Sequence, residues 1–306
     1  MKSRADNGWL RAMPPVFVLI WSTGFIVAKY GLPYAPPLTF LSIRYALSLL
    51  CFLAWIAAAR VQWPRGRQQW LHLAVSGVLI HAGYLGGVWV AIKAGMGSGL
   101  ASLMVGLQPV LTALWVSSMA TSNRGAEKVT QRQWLGLALG LGGLVLVVSR
   151  KFGASHDVQE VTVFTLAAIT TALLSITIGT LYQKRFVQPA DVRGANAVQI
   201  TAAFVVTLPL ALLETELVVW TLQFVGALAW SVLVLTLGGS SLLYMLIQRG
   251  AATAVTSLLY LVPPCTAVMA WLLFAEPITI ATMVGTAITA LGVSLVVRAV
   301  KPDSKA

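Results

Sequence analysis

The sequence predicts an all-α integral membrane protein with ten transmembrane helices, arranged as two inverted five-helix repeats with both termini cytoplasmic. Three observations predict this fold. First, 58% of the 306 residues are hydrophobic and only 10% are charged, whereas about a quarter of the residues in ordinary soluble domains are charged. Second, the apolar residues form ten runs of membrane-spanning length. Third, motifs of the first half recur in the second. So few charges cannot cover a water-exposed surface, which excludes soluble, disordered and disulfide-framework classes.

The ten apolar runs are separated by short basic or turn-forming stretches. A helix needs about 20 apolar residues to cross a bilayer, so ten helices use about 200 residues and leave no room for a soluble enzyme domain. Basic residues precede the first run, as in a signal peptide, but no convincing cleavage site follows, and we interpret this run as a retained helix. The predicted spans are residues 13–30, 38–59, 70–92, 97–119, 132–149, 161–183, 194–213, 220–247, 252–274 and 278–297.

The basic residues orient the predicted helices. Ten spans place both termini on one side, and sixteen of the 21 lysines and arginines fall on that side. By the positive-inside rule the termini are therefore cytoplasmic. The net charge of +12 comes from small basic groups between apolar runs, so we expect no nucleic-acid partner. Arg44 lies inside a span, and the four basic residues on the outer side are Lys29, Lys93, Arg150 and Lys151.

Two halves of the chain, residues 1–150 and 151–306, share motifs at a nearly constant offset. Because each half has five spans, an odd number, the halves cross the membrane in opposite directions, which is a transporter architecture with the substrate site between the halves. Chance similarity among apolar helices is the alternative. The repeated glycines also predict close helix packing in the fifth and tenth spans. The matched residues are Pro109 with Pro263, 154 apart, and Glu127 with Glu276, Gly136 with Gly285 and Gly143 with Gly292, each 149 apart.

Three stretches resemble the signatures of a known family. Residues 21–25 read WSTGF, residues 95–109 read GMGSGLASLMVGLQP, and residues 253–276 run through Pro263 to a terminal glutamate. These motifs are similar to those of the EamA family of the drug/metabolite transporter superfamily. The resemblance implies two EamA repeats and a central cavity lined mainly by spans 1, 3, 4, 6, 8 and 9, with spans 5 and 10 outside it. It also implies export of amino acids or other small metabolites.

The chain departs from the family pattern in two places that bear on pocket shape. Polar residues 117–121 follow the fourth span, where the family usually runs straight into the glutamate, and the sixth span contains no tryptophan.

The acidic residues bear on energy coupling. All nine lie in termini, loops or span ends, whereas proton-coupled transporters usually bury carboxylates. The sequence therefore predicts a facilitator, or weak coupling through another group. The chain contains no HExxH motif, phosphate-binding loop or nucleophile elbow, so we expect no enzymatic activity, metal or cofactor.

Polar residues inside apolar runs are candidates for substrate anchors. Arg44 lies about seven residues past Pro37, or roughly 10 Å of helix, so it either snorkels to the outer interface or binds a substrate carboxylate. The repeat places Gln199 opposite Arg44. His81 lies near the middle of the third span, with Tyr84 on the same face. His81 is either hydrogen-bonded to a neighbouring helix or exposed to a cavity, where it could titrate near neutrality.

Pro109 and Pro263 interrupt the predicted fourth and ninth spans. A proline removes one amide donor and frees the carbonyl four residues earlier, here those of Val105 and Leu259. The two prolines are either packing kinks or, because they recur in inverted halves, a shared hinge at the cavity.

Further polar and aromatic residues recur at helical spacing. Any one such stripe serves helix packing more often than binding, but together they predict the lining of one cavity. These candidates are Trp21 and Ser22 in the first span, Gln108 beside the first proline, Ser175 and Tyr182 in the sixth span, Ser240 and Tyr244 in the eighth, and Tyr260 in the ninth.

The sequence thus predicts a membrane transporter that exports a small metabolite, an amino acid in the first instance, by alternating access through a central cavity. Polar anchors beside aromatic walls suit an amphipathic substrate. The expected partners are the metabolite and the lipid bilayer, and the protein is expected to be a monomer or a homodimer. The alternatives are a multidrug or other metabolite exporter, and a membrane scaffold subunit that transports nothing.

Overall fold

The computed structural model describes residues 4–59, 61–112, 115, 131–151, 161–242, 245 and 261–299. Within these ranges every regular element is a helix. The helices are α1 (Arg4–Gly31), α2 (Pro37–Ala58), α3 (Arg67–Lys93), α4 (Ser98–Thr112), α5 (Gln131–Lys151), α6 (Val163–Phe186), α7 (Val192–Ala211), α8 (Leu222–Ser240), α9 (Val262–Phe274) and α10 (Ile280–Ala299).

The described helices agree with the predicted all-α membrane fold. Five of them, α2, α3, α6, α7 and α8, are long and apolar enough to cross a membrane. The other five contain shorter apolar segments. Each helix overlaps one predicted apolar run. The described ends differ from the predicted ones by up to three residues, except that α1 begins at Arg4, nine residues before the predicted first span, and that the runs of α4, α8 and α9 extend into residues outside the description. The number of membrane crossings stays a prediction.

Helix ends follow local sequence signals. Thr162 accepts a hydrogen bond from the amide of Thr165, 3.1 Å away, and caps α6. Asp191 and Thr221 cap α7 and α8 in the same way. Pro37 occupies the first turn of α2, where its missing amide proton costs nothing. Polar caps and prolines therefore mark where the apolar runs begin.

The glycine stripe of α5 packs directly on that of α10. A side-chain carbon on Gly285 would come within 2.6 Å of the Gly143 carbonyl oxygen, and one on Gly292 within 2.6 Å of the Gly140 amide nitrogen. Only hydrogen fits at these positions, so the two backbones approach closely. This is the close packing that the repeated glycines predict.

The helix contacts follow a twofold pattern. Each helix of the first half has a counterpart five positions later, so that α1 corresponds to α6 and α5 to α10. When every helix is exchanged with its counterpart, the α2–α7 and α5–α10 contacts remain the same. The same exchange converts the α3–α6 contact into α8–α1, and α3–α7 into α8–α2. Two repeats related by a twofold axis produce such a pattern.

Two counterpart helices, α3 and α8, contain π-helical segments. These segments are Val78–Gly83 in α3 and Ser231–Ser240 in α8. π-Helical turns are rare and are frequent at functional sites because they widen the helix locally. Nothing in our reading of the sequence predicted them.

The predicted break in the fourth span lies just before its proline. Gly106 and Leu107 form a turn that interrupts α4 two residues before Pro109. Pro263 lies in the first turn of α9. The two sites meet, because a side-chain carbon on Gly106 would lie 2.8 Å from Cγ of Pro263. Leu259 lies outside the described residues.

Candidate functional site

A central cavity lies between helices of the two halves. It encloses about 730 Å³ of space between protein atoms, including solvent at its mouth. Helices α1, α2 and α3 contribute from the first half, and α6, α7 and α8 from the second. Its lining residues are Trp21, Gly24, Phe25, Arg44, Ile80, His81, Tyr84, Leu85, Val88, Trp89, Gln183, Asn196, Gln199, Leu235 and Ser240.

The helices that line the cavity differ from the expected set. The resemblance implied spans 1, 3, 4, 6, 8 and 9, whereas α2 and α7 contribute Arg44, Asn196 and Gln199, and the described residues of α4 and α9 contribute nothing. The turn at Gly106 directs α4 against Pro263 rather than against the cavity. As expected, the described parts of α5 and α10 lie outside the lining.

Arg44 is the charged residue in this lining. It is only 5% exposed, so it does not snorkel to an interface. Its Nε donates a hydrogen bond to the Thr236 hydroxyl at 3.0 Å, and that hydroxyl donates to the Ser231 carbonyl at 2.9 Å. The two terminal nitrogens of Arg44 have no hydrogen-bond partner in the described part of the chain. A desolvated guanidinium with open donors is suited to bind a carboxylate through two parallel bonds.

The π-helical segment of α3 shapes the wall beside Arg44. His81 lies within it, and its backbone carbonyl accepts a hydrogen bond from the Tyr45 hydroxyl at 2.8 Å. The Tyr84 ring lies parallel to that of Trp21, with centroids 6.4 Å apart. The His81 ring makes no hydrogen bond to a described residue, so it remains open to the cavity. This wall pairs aromatic surface with few polar groups.

Three amides form the polar end of the cavity. Gln199 donates from Nε2 to the Ser76 hydroxyl at 2.9 Å and to Oε1 of Gln183 at 3.1 Å. Asn196 donates to the Val192 carbonyl at 2.9 Å. Gln183 and Asn196 were missed in the sequence, although an amide in an apolar helix is itself a signal of function.

The structure separates the predicted site residues into three groups. The cavity brings together Trp21, Arg44, His81, Tyr84, Gln199 and Ser240. Tyr244 and Tyr260 lie outside the described residues. The structure places Ser22, Gln108, Ser175 and Tyr182 away from the lining. Whether any predicted residue binds substrate stays a prediction.

The four predicted residues that do not line the cavity each contact another group of the helix bundle. The Ser22 hydroxyl donates to the Val18 carbonyl at 2.8 Å. Gln108 donates to the Thr180 hydroxyl at 3.2 Å. The remaining two serve contacts between α3 and α6: Ser175 lies against Gly83, and the Tyr182 hydroxyl is 2.7 Å from Nδ1 of His72. Helical spacing identified polar faces correctly but not the neighbour that each face meets.

An aromatic layer closes one end of the cavity. Trp89, which lines the cavity, packs on Phe40 with ring centroids 4.4 Å apart. Phe40 also contacts Phe224 edge-on at 5.4 Å. All three rings are at most 1% exposed.

Beyond the aromatic layer, three glutamates of the second half bind groups of the first half. We call Glu214, Glu216 and Glu276 the carboxylate clasp. Glu214 accepts hydrogen bonds from the amides of Leu38 and Thr39 at 3.0 and 2.7 Å, so it caps α2, which has no cap of its own. Glu216 pairs with Lys93, 2.6 Å away. Each contact joins residues more than a hundred positions apart.

Glu276 is the most extensively bound member of the clasp. It accepts from Nζ of Lys29 at 2.5 Å, from the Ser98 amide and hydroxyl at 3.0 and 2.9 Å, and from the Gly99 amide at 3.3 Å. It thereby caps α4. Partial burial raises the pKa of Glu276, but the hydrogen bond and charge of Lys29, with the Ser98 bonds, outweigh burial and lower that pKa overall.

Comparison with known proteins agrees with this architecture. A probable amino-acid metabolite efflux pump of Salmonella typhimurium is 28% identical over 64% of this chain and 60% of its own length. An uncharacterized inner membrane transporter of Escherichia coli, YedA, is 26% identical over 82% of this chain and 78% of its own. A protein of known crystal structure, 16% identical, shares the fold with a TM-score of 0.66 over 93% of this chain and 94% of its own.

The family comparison covers both halves of the chain. The EamA-like transporter family matches residues 16–149 and again residues 163–298. This double match agrees with the internal repeat, and the apolar helices make the protein a multi-pass membrane protein. The chain belongs to the EamA-like transporter family.

Proposed function

We propose that the protein is a secondary transporter that exports a small carboxylate-bearing metabolite, an amino acid or a derivative of one, by alternating access through the central cavity. The observation that carries the proposal is Arg44, a buried and incompletely bonded cation in a cavity with aromatic walls and an amide end. The Salmonella relative is named a probable amino-acid metabolite efflux pump, which supports this substrate class, although the match spans only 60% of that protein.

The basic loop residues indicate which side of the membrane the closed end of the cavity faces. We propose ten spans in inverted repeats with both termini cytoplasmic, because most of the basic residues then lie on the cytoplasmic side. The carboxylate clasp then faces outward, and the amide end formed by Gln183, Asn196 and Gln199 lies toward the cytoplasm. In this conformation the aromatic layer and the clasp block the outer exit, so substrate would enter from the cytoplasmic end.

Opening the outer exit requires the halves to move apart at the clasp. The turn at Gly106, just before Pro109, contacts Pro263 in the first turn of α9, and we propose that the two prolines form the hinge of this movement. Broken helices at a repeat interface serve this role in other transporters. A cation exporter is less well supported, because binding a buried cation calls for a buried acid and the described lining has none.

The orientation can be tested by labelling single cysteines after Cys51 and Cys265 have been replaced. Cysteines at Arg65 and Ser304 should be labelled from the cytoplasmic side, and a cysteine at Ser155 from the outside. Labelling of positions 65 and 155 from the same side would reject the ten-span inverted arrangement.

The function itself is tested by initial flux of the proteinogenic amino acids in liposomes. Arg44→Gln should weaken apparent affinity by about 10- to 100-fold, since a hydrogen bond to a charged group contributes about 1.5–3 kcal/mol. The matched control is Arg193→Gln, which removes a guanidinium that pairs with Asp191 outside the cavity. Equal losses in the two variants, or no flux by the wild-type protein, would reject the proposal.

A further inference from the structure

The cavity carries an unbalanced positive charge. Among the residues whose side chains the structure describes, the acidic ones are Asp191 and the three glutamates of the clasp, and none of them lines the cavity. Arg44 is instead bonded to a neutral hydroxyl, that of Thr236. Residues 246–260, which lie outside the described structure, contain no aspartate or glutamate. No carboxylate among the described side chains is therefore placed to neutralise Arg44.

This imbalance separates ligands that share a carboxylate. A monoanion brings one negative charge, neutralises Arg44 and leaves the occupied cavity without net charge. A zwitterionic amino acid also brings an ammonium group, which would be buried without an anionic partner and near a second cation. Burying an unpaired charge is costly even where neutral groups can accept its hydrogen bonds. The other polar groups of the described lining are neutral: three amides, a histidine, two tryptophan indoles and the hydroxyls of Tyr84 and Ser240.

We propose that the transported species is a net monoanion, a carboxylate whose amino group is absent or acylated, and that the membrane potential drives its export. This inference rests on the proposed function and specifies its substrate. In each cycle one negative charge would leave the cytoplasm, and the interior-negative potential favours that movement. Such an exporter needs no coupling proton, which agrees with the predicted placement of the acidic residues in termini, loops and span ends.

The walls of the cavity indicate the chemical character of the part of the ligand beyond its carboxylate. Phe25, Val88 and Leu235 present apolar surface, and Trp21 and Tyr84 present aromatic faces. A carboxylate on Arg44 would direct the body of a ligand toward these side chains. Amino-acid derivatives with apolar side chains meet both requirements.

The test compares each apolar amino acid with its N-acetyl and 2-oxo derivatives in liposomes that contain the purified wild-type protein. A potassium gradient with valinomycin sets the sign of the potential, and charge movement is recorded on a supported membrane. We expect the monoanions to be bound about tenfold or more tightly than the parent amino acids. Their flux should accelerate when the potential drives anions outward and slow when its sign is reversed.

Three outcomes are informative. If the parent amino acid moves as well as its derivatives and the potential has no effect, the inference is wrong but the exporter function stands. If neither form of any amino acid moves, the proposed function is wrong as well. In Arg44→Gln the preference for monoanions should disappear, whereas Arg44→Lys, which keeps the charge, should retain the potential dependence at lower affinity. The measurements on wild-type protein decide the matter even if both variants fold poorly.

Discussion

The carboxylate clasp and the central cavity use charge in opposite ways. At the clasp, Glu276 meets Lys29 and two backbone amides, and Glu216 meets Lys93. In the cavity, Arg44 meets one neutral hydroxyl. Both regions join the two halves of the chain, and both lie between helices that have to move if access is to alternate.

Whether a charged group has a partner within the protein decides its role: the paired groups of the clasp stabilise a conformation, and the unpaired Arg44 is suited to bind a ligand. A compensated carboxylate stabilises the arrangement that compensates it, so the clasp stabilises the contact between the two halves at its end of the bundle. An uncompensated buried cation is stabilised by whatever anion enters. Pairing between a carboxylate and a cation therefore stabilises one conformation at the clasp, whereas in the cavity it would bind the ligand.

The largest effect on the clasp is expected at Glu276. Glu276→Ala leaves Lys29 and the first amides of α4 without their acceptor, and should lower the free energy of unfolding by about 2–3 kcal/mol. Glu216→Ala is the control, because its carboxylate is 60% exposed and exposed ion pairs contribute at most about 1 kcal/mol. Thermal unfolding in detergent measures both, and equal shifts in Tm would contradict the ranking.

Protonation should break the same bonds without a mutation. The folded-state pKa of Glu276 is lowered below its ordinary value of 4.5. Its ionised form therefore adds stability above about pH 4.5, and that stability is lost as pH falls through the folded-state pKa. Unfolding measured from pH 7 downward should show this loss in wild-type protein and a smaller one in Glu276→Gln. Identical profiles would show that Glu276 does not act as proposed.

Much of the fold could be predicted from the sequence, but little of the difference between the paired charges of the clasp and the unpaired Arg44 could be. Apolar runs of spanning length located each helix, and the glycines predicted the contact between α5 and α10. Arg44 and Gln199, which the repeat pairs, both line the cavity, and their roles in binding stay a prediction. These features depend on periodicity and spacing, which a single chain displays.

The clasp was not predictable in the same way. Lys29 and Glu276 are 247 residues apart, and no periodicity relates a residue in the last turn of α1 to a loop residue at such a distance. Likewise, Ser22 and Arg44 are both polar residues within apolar runs, yet one hydroxyl bonds its own helix and the other side chain enters the cavity. The rotation of each helix decides this, and that rotation depends on packing between helices.

Substitution at the proposed hinge should have a smaller effect, and this effect should be on the maximal rate of transport. Pro109→Ala restores a backbone donor next to the turn at Gly106 and stiffens α4, so maximal flux should fall about threefold or more while apparent affinity changes little. Pro209, which lies inside α7 away from the α4–α9 contact, provides the control variant Pro209→Ala. Initial flux against substrate concentration separates the two parameters. A loss confined to affinity would reject the hinge.

The central claim, that Arg44 binds substrate because the protein leaves it uncompensated, is tested most directly by compensating it. Thr236→Asp places a carboxylate at the position of the hydroxyl that accepts from Arg44 Nε at 3.0 Å, and Thr236→Asn supplies a neutral acceptor of the same shape. The measurement is the dissociation constant of an N-acetyl amino acid for the two variants and the wild-type protein. We predict that Thr236→Asp weakens binding by about tenfold or more while Thr236→Asn remains within about threefold of wild type. Equal affinity in all three proteins would contradict the account.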